Sequence, residues 1–428
     1  MLRISALAAL LVGSTLSASA HSVVYQLAPC KQTRSAVVAS VEVPPYLEGK
    51  PMVLVPVAGG QALPVQLDAT GKRGLCLLPG PIAPGQTPQF RLAQPAAESA
   101  PTVVAEDDGQ RVVLKVGGKQ VLTYNQALVP APKPDESYYA RSGYLHPVFA
   151  PSGQQVTDDF NPDHAHQHGI MFAWRKLTFE GRESNGWDQK LGLGKVEHVK
   201  LDSSVSGPVF GGFAARLRQL DLTAPGGAKP VLNEQWTVRV YNLADPFVFD
   251  LEMVQTCASQ VPVQIDKIHY GGLMIRGRAD WAKTKDLSQN RRGPTARPNG
   301  PEQPAGPGTG SKTYEYLTSE GKTRADGDQP QARWCDIFGP VGDGSVGAAI
   351  LSHPANFHAP QPVRLHPKMP YFCFTPATAG EFTIQPGRPY VSRYRFVIHD
   401  GPADAARLEA FWQAFAQPAE LHPVTAAN

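Results

Sequence analysis

Short runs in which apolar and polar residues alternate recur along this chain, and they predict β-strands. Trp236-Thr237-Val238-Arg239-Val240-Tyr241 alternates as a half-buried strand does. Tyr390 to Val397 repeats the pattern, with Arg393 and Arg395 on one face and Tyr394 and Phe396 on the other. Phe247-Val248-Phe249-Asp250-Leu251-Glu252-Met253-Val254 is denser and predicts a central strand carrying acids on its second face. Nearer the start, Val37 to Val43 stops at Pro44-Pro45, and Met52 to Val57 stops at Gly59-Gly60. These runs predict an all-β chain: a small N-terminal β-sandwich over 21–97, then a large antiparallel β-sandwich over 103–417. An Ala/Pro/Ser-rich stretch from Ala93 to Thr102 links the two.

One segment carries helical periodicity. Pro402 suits a first helical turn, and Leu408, Phe411, Trp412 and Phe415 recur at helical spacing until Pro418. This predicts a helix over about 402–417 whose aromatics dock on the sandwich. Residues 285–310 form a Pro/Gly/Asn/Arg-rich insertion, too long for an ordinary connection, so a lid, a binding loop or an unstructured segment is expected there.

Composition narrows the class. Arg3 followed by the apolar run Ile4 to Val12 and the small-residue site Ala18-Ser19-Ala20 reads as a secretory signal over 1–20, with His21 as the mature N-terminus. The expected location is therefore periplasmic or secreted. No apolar run reaches the roughly 20 residues that a spanning helix needs, so no membrane span is expected. The net charge of +3 is spread along the chain and leaves no electrostatic footprint for nucleic acid. The 41 prolines and 40 glycines fit short strands joined by tight turns. None of the five cysteines forms a CxxC pair, which removes a zinc ribbon or redox dithiol; Cys30 and Cys76 share the first unit and are candidates to pair.

Candidate chemistry concentrates in Asp163-His164-Ala165-His166-Gln167-His168-Gly169, which holds three of the chain's 12 histidines. If the segment is extended, alternate imidazoles share a face. His164 and His166 are then candidate catalytic groups with His198, working either as acid and base, with Asp163 orienting its neighbour, or as ligands of a divalent transition metal. Arg141, Tyr144, His146, Trp174 and Glu183 are the candidate substrate-binding residues, since arginine forks and aromatic faces suit an oxygen-rich ligand. Trp187 and Asp188 add to the same stretch. Arg333 and Asp336, in Arg333-Trp334-Cys335-Asp336, are expected to form a buried ion pair, and His353 and His358 to be structural. No GxSxG elbow, P-loop or HExxH is present.

Several stretches carry a family resemblance: Tyr144-Leu145-His146-Pro147-Val148-Phe149 through Asp163 to Ile170, Tyr270-Gly271-Gly272, Arg333 to Asp336 with Gly339-Pro340, and Gly347 to Pro354. Over roughly 103–400 the chain resembles the secreted bacterial PmoA-like family, a domain of unknown function. That family's pattern is Asp-His-x-His-His-Arg-Gly; here Gln167 and His168 replace its third histidine and its arginine, so His164 and His166 alone carry over. The methane-oxygenase label is not inherited, because the membrane subunit of that name needs spanning helices. The resemblance implies a β-sandwich in the style of mutarotase-like supersandwiches, which place histidines on an open sheet face to work on sugars.

Three functions compete. The first is a carbohydrate-active enzyme, a glycoside hydrolase or lyase whose partner is a glycan or oligosaccharide. The second is a non-catalytic glycan-binding protein. The third is a copper oxidative enzyme in which the α-amine and imidazole of His21 form a histidine brace.

Overall fold

A computed structural model describes residues 23–35, 37–281 and 314–424. The signal segment, His21 and the 285–310 insertion lie outside the described residues. Two eight-stranded sheets dominate. One runs in the order Val363–Leu365, Tyr371–Phe374, Gly272–Arg276, Ile170–Ala173, Tyr144–Val148, Lys119–Asn125, Arg111–Val116, Val103–Asp107. The other runs Gly194–Val205, Phe210–Asp221, Lys229–Tyr241, Phe247–Cys257, Tyr390–Asp400, Gly344–Ser352, Trp334–Val341, Glu315–Thr318. Their apolar faces, with a smaller four-stranded sheet, form one continuous core. The large antiparallel sandwich expected from the alternation is present.

The two patterned strands lie side by side in that second sheet. Asp250 pairs in register with Arg395 and Glu252 with Arg393. The Arg395 guanidinium donates to Asp250 at 2.7 and 2.9 Å, against the packed helix, while Phe249 and Phe396 stack at 4.5 Å on the core side. Alternation thus places charge pairs on one face and apolar area on the other.

The helix spans Ala405–Ala416, and the Asp404 carboxylate caps it by accepting from Arg407 N at 2.9 Å. Leu408, Phe411 and Phe415 are buried against Val248, Ala349, Leu351 and Val397 of the sheet and Val38, Leu75 and Leu77 of the N-terminal unit. Each such side chain contributes about 1.5–3 kcal/mol on burial. The helix therefore joins the two units as well as covering the sandwich.

The N-terminal unit is β, and its sheet closes into a barrel. Seven strands form it, and the strand Ala419–Val424 from the far end of the chain lies between Val24–Leu27 and Val37–Glu42. Leu421 joins Leu27, Val41, Leu54 and Phe90 in the barrel core.

Two local expectations are corrected. Cys30 and Cys76 do not pair; both are free thiols, with their Sγ atoms directed to the Ala83 and Ala39 carbonyls. Arg333 and Asp336 do not pair either, because positions three apart along a strand face opposite ways. Arg333 reaches Glu320 and Glu409, while fully buried Asp336 accepts from His399 Nε2 at 3.0 Å. Gly347 packs against that imidazole so closely that a Cβ there would sit 2.5 Å from it.

Candidate functional site

The histidine segment joins two neighbouring strands, Tyr144–Val148 and Ile170–Ala173, at one end of the first sheet. It is a run of turns rather than an extended strand: His164 N donates to Asn161 O, and Gln167 N to His164 O. Gly169 makes the return possible. Its φ is +37°, and a Cβ there would lie 2.1 Å from Leu145 O, so any side chain would push the loop off its strand.

The loop is fastened from below by Arg276, the last residue of Gly272–Arg276. Its guanidinium is fully buried and donates to Asp163 Oδ2 at 2.8 Å and to Gln167 Oε1 at 3.1 Å. Asp163 is held below the ordinary carboxylate range: burial opposes this, and adjacent His164 and Arg276 outweigh it. His164 Nδ1 lies 3.7 Å from Asp163 Oδ1, an ion-pair distance.

His164 and His166 are side by side, with ring centroids 5.2 Å apart, although turns and not strand alternation bring them together. Burial drives the His166 pKa well below the usual imidazole value, and His164, His168 and Arg276 alongside add to the shift, so the ring is a free base at neutral pH. Asp188 Oδ1 is 4.0 Å from His166 Nδ1, and the Tyr139 ring centroid is 6.3 Å from its ring. The side chain of His166 keeps 15% of its exposure and that of His164 27%.

Register supplies the other wall. Arg276 pairs with Tyr371 on the adjacent strand, and the loop before Tyr371 carries His366. The His366 ring stacks on Tyr371 at 4.8 Å and lies 6.1 Å from His164. Its Nδ1 accepts from Lys368 N at 3.2 Å and Met369 N at 3.0 Å. Burial, with Arg364 adding to it, pushes its pKa down to about 3. Arg276, His366 and Tyr371 were not singled out from the sequence. They lie more than a hundred residues beyond the histidine segment in no recognisable motif, and strand pairing alone brings them in.

The remaining candidates sit elsewhere or deeper. His168 is fully buried, donating through Nδ1 to Asp159 Oδ1 at 2.6 Å, while Tyr144 OH donates to the other oxygen at 2.7 Å. His146 bonds Thr157 Oγ1 at 3.0 Å. Arg141 is 1% exposed and donates to the Phe172 and Gly186 carbonyls, and the Gln189 side-chain amide lies 3.3 Å from its Nη1. It braces the turn that carries Asp188 instead of facing solvent. Trp174 is core, its indole donating to Gln255. Glu183 is exposed, 3.9 Å from Arg175. His198, on the opposite sheet, bonds Tyr124 OH at 2.8 Å, and its partners are not those of His164 and His166. The three-histidine ligand set therefore does not assemble, and among the described residues no three His, Cys, Asp or Glu side chains are placed to hold a metal ion. Two cavities of about 390 Å³ lie beside the barrel, both lined by Leu78, Pro79 and Pro81, and no histidine lines either.

No helix among the described residues is long and apolar enough to cross a membrane. Comparison with solved structures finds heparan sulfate lyase HepC from Pedobacter heparinus at 11% identity and TM-score 0.34, covering 72% of this chain and 38% of that one. An alpha-mannosidase from Enterococcus faecalis V583 is similar at 11% identity and TM-score 0.41, covering 94% and 46%. This chain spans less than half the length of either protein. No curated protein matches its sequence. The model of a family of unknown function, DUF6807, matches residues 111–413, most of the sandwich and the whole histidine site, and the chain belongs to that family.

Proposed function

We propose that this protein is a secreted carbohydrate-active enzyme that works by proton transfer at His166, and that it cleaves by elimination. The observation that carries this is the His164–His166 pair, two imidazoles that are mostly covered but still reach solvent, of which one is a free base at neutral pH. Tyrosine rings beside hydrogen-bonding groups suit the faces and hydroxyls of a sugar. Hydrolysis would call for one carboxyl held protonated as acid opposite a second carboxylate. Asp163 is instead tied to Arg276 and kept ionised, which favours a lyase over a hydrolase.

The test is His166→Ala against a panel of glycans. Turnover should be abolished with the melting temperature nearly unchanged. In the wild type, kcat/KM should fall on the acid side with an inflection below pH ~6.5, the unperturbed imidazole value. A wild-type protein that binds glycans tightly yet turns over none of them is a binding protein, and the enzymatic reading fails. N-terminal sequencing of protein exported by a bacterial host checks the secretion reading.

A further inference from the structure

We infer that His366 is the fixed hydrogen-bond donor of this site, and that the substrate is a glycan bearing a carbonyl or carboxyl carbon beside the carbon that loses its proton. This rests on the elimination reading and adds a second catalytic residue and a substrate class.

The geometry of one ring leads there. Two backbone N–H groups, from Lys368 and Met369, converge on His366 Nδ1. A nitrogen that accepts two donors holds a lone pair, so the single ring proton is on Nε2. Stacking on Tyr371 and the tight turn hold the ring in that orientation, and the residue is 5% exposed. Nε2 makes no hydrogen bond to another described residue, and the ring borders His164. The low pKa keeps the ring neutral across the working range. With the Nδ1 lone pair taken by two backbone amides this ring has no free lone pair to act as the base, but its Nε2–H donates one directed hydrogen bond with no reorganisation, the property an oxyanion stabiliser needs.

Elimination produces such an oxyanion. His166 takes the proton from the carbon next to the carbonyl or carboxyl carbon, and the C–H electron pair moves to make an enolate whose oxygen carries the new charge. His366 Nε2–H donates to that oxygen and keeps its proton. Collapse of the enolate restores the carbonyl, forms the carbon–carbon double bond and breaks the bond to the glycosidic oxygen, which leaves with the proton held by His166. Electrons and protons balance without an external oxidant or reductant. A glycan without such a carbon has no place for the charge. Two substrate types supply it: uronate polysaccharides and keto-sugar glycosides.

The experiment uses the full chain with alginate, polygalacturonate and hyaluronan as uronate probes and a keto-disaccharide as the second arm, following the new double bond by ultraviolet absorbance. In His366→Asn the asparagine Oδ1 can take over the Lys368 and Met369 amides, while nothing reaches the Nε2 position. The melting temperature should hold, and turnover should fall about 10²–10³-fold, as on removal of one oxyanion donor. Nitrogen NMR of labelled wild type, assigned against the variant, should show the His366 proton on Nε2. Wild-type turnover in His366→Asn, or a proton on Nδ1, overturns the inference while leaving His166 as the base. Full activity in His166→Ala, or no turnover of either substrate type, removes the elimination reading and the inference with it.

Discussion

The buried pair His399–Asp336 makes a prediction whose sign can be worked out. Asp336 is fully buried and the His399 side chain is 7% exposed, with Nε2 3.0 Å from Asp336 Oδ2. Burial alone would lower the imidazole pKa; the carboxylate outweighs it, and the pKa is raised. A group with a raised folded-state pKa contributes stability that is complete below its unfolded value, ~6.5, and is lost as pH rises through the folded value. His146, His166, His168, His198, His353 and His366 all have lowered values, for which burial is the leading cause, so each contributes stability that is lost as pH falls below ~6.5. The wild-type curve mixes both directions, and a difference curve separates them. Asp336→Asn breaks a buried pair, which costs about 3–5 kcal/mol. The wild-type-minus-variant difference in urea unfolding free energy should be largest below pH ~6.5 and shrink as pH rises. Gly347→Ala, whose Cβ would collide with the imidazole, should reproduce the shape of that curve. A difference that is flat, or that grows with pH, would refute the ion-pair assignment.

Two further outcomes follow from the same structure. Gly169→Ala forces a side chain into Leu145 O at a positive φ; it should abolish activity and lower the unfolding free energy by more than ~1 kcal/mol, measured by urea titration. All five thiols should titrate in denaturant without reductant, whereas in the native state Cys76, Cys335 and Cys373, buried and with raised pKa values, should resist a thiol reagent; fewer than five thiols in denaturant would reinstate a disulfide.

Local patterns were readable where neighbours along the chain decide the outcome. Alternation at Phe247 to Val254 and at Tyr390 to Val397 placed Asp250, Glu252, Arg393 and Arg395 on the correct faces, because a period of two survives any choice of partner strand. The helix was readable from its apolar spacing and its prolines. The site was half readable. His164 and His166 do meet, but turn hydrogen bonds bring them together, and the alternation that pointed to them would have put His168 beside them instead of against Asp159. Arg276 and His366 belong to the site through strand register, which no window of the sequence encodes. Arg141 and Trp174 have the side chains a sugar site uses, and their burial, invisible in one dimension, gives them other work.

The strand Ala419–Val424 has a consequence for synthesis. A ribosome makes the first six barrel strands hundreds of residues before the seventh, so through most of translation Val24–Leu27 and Val37–Glu42 lack the strand between them. Unpaired edges of that kind invite pairing with other chains. The nascent barrel therefore depends on staying unfolded or shielded until the sandwich is complete, and a chain cut just after the helix should keep its sandwich yet aggregate through the open barrel.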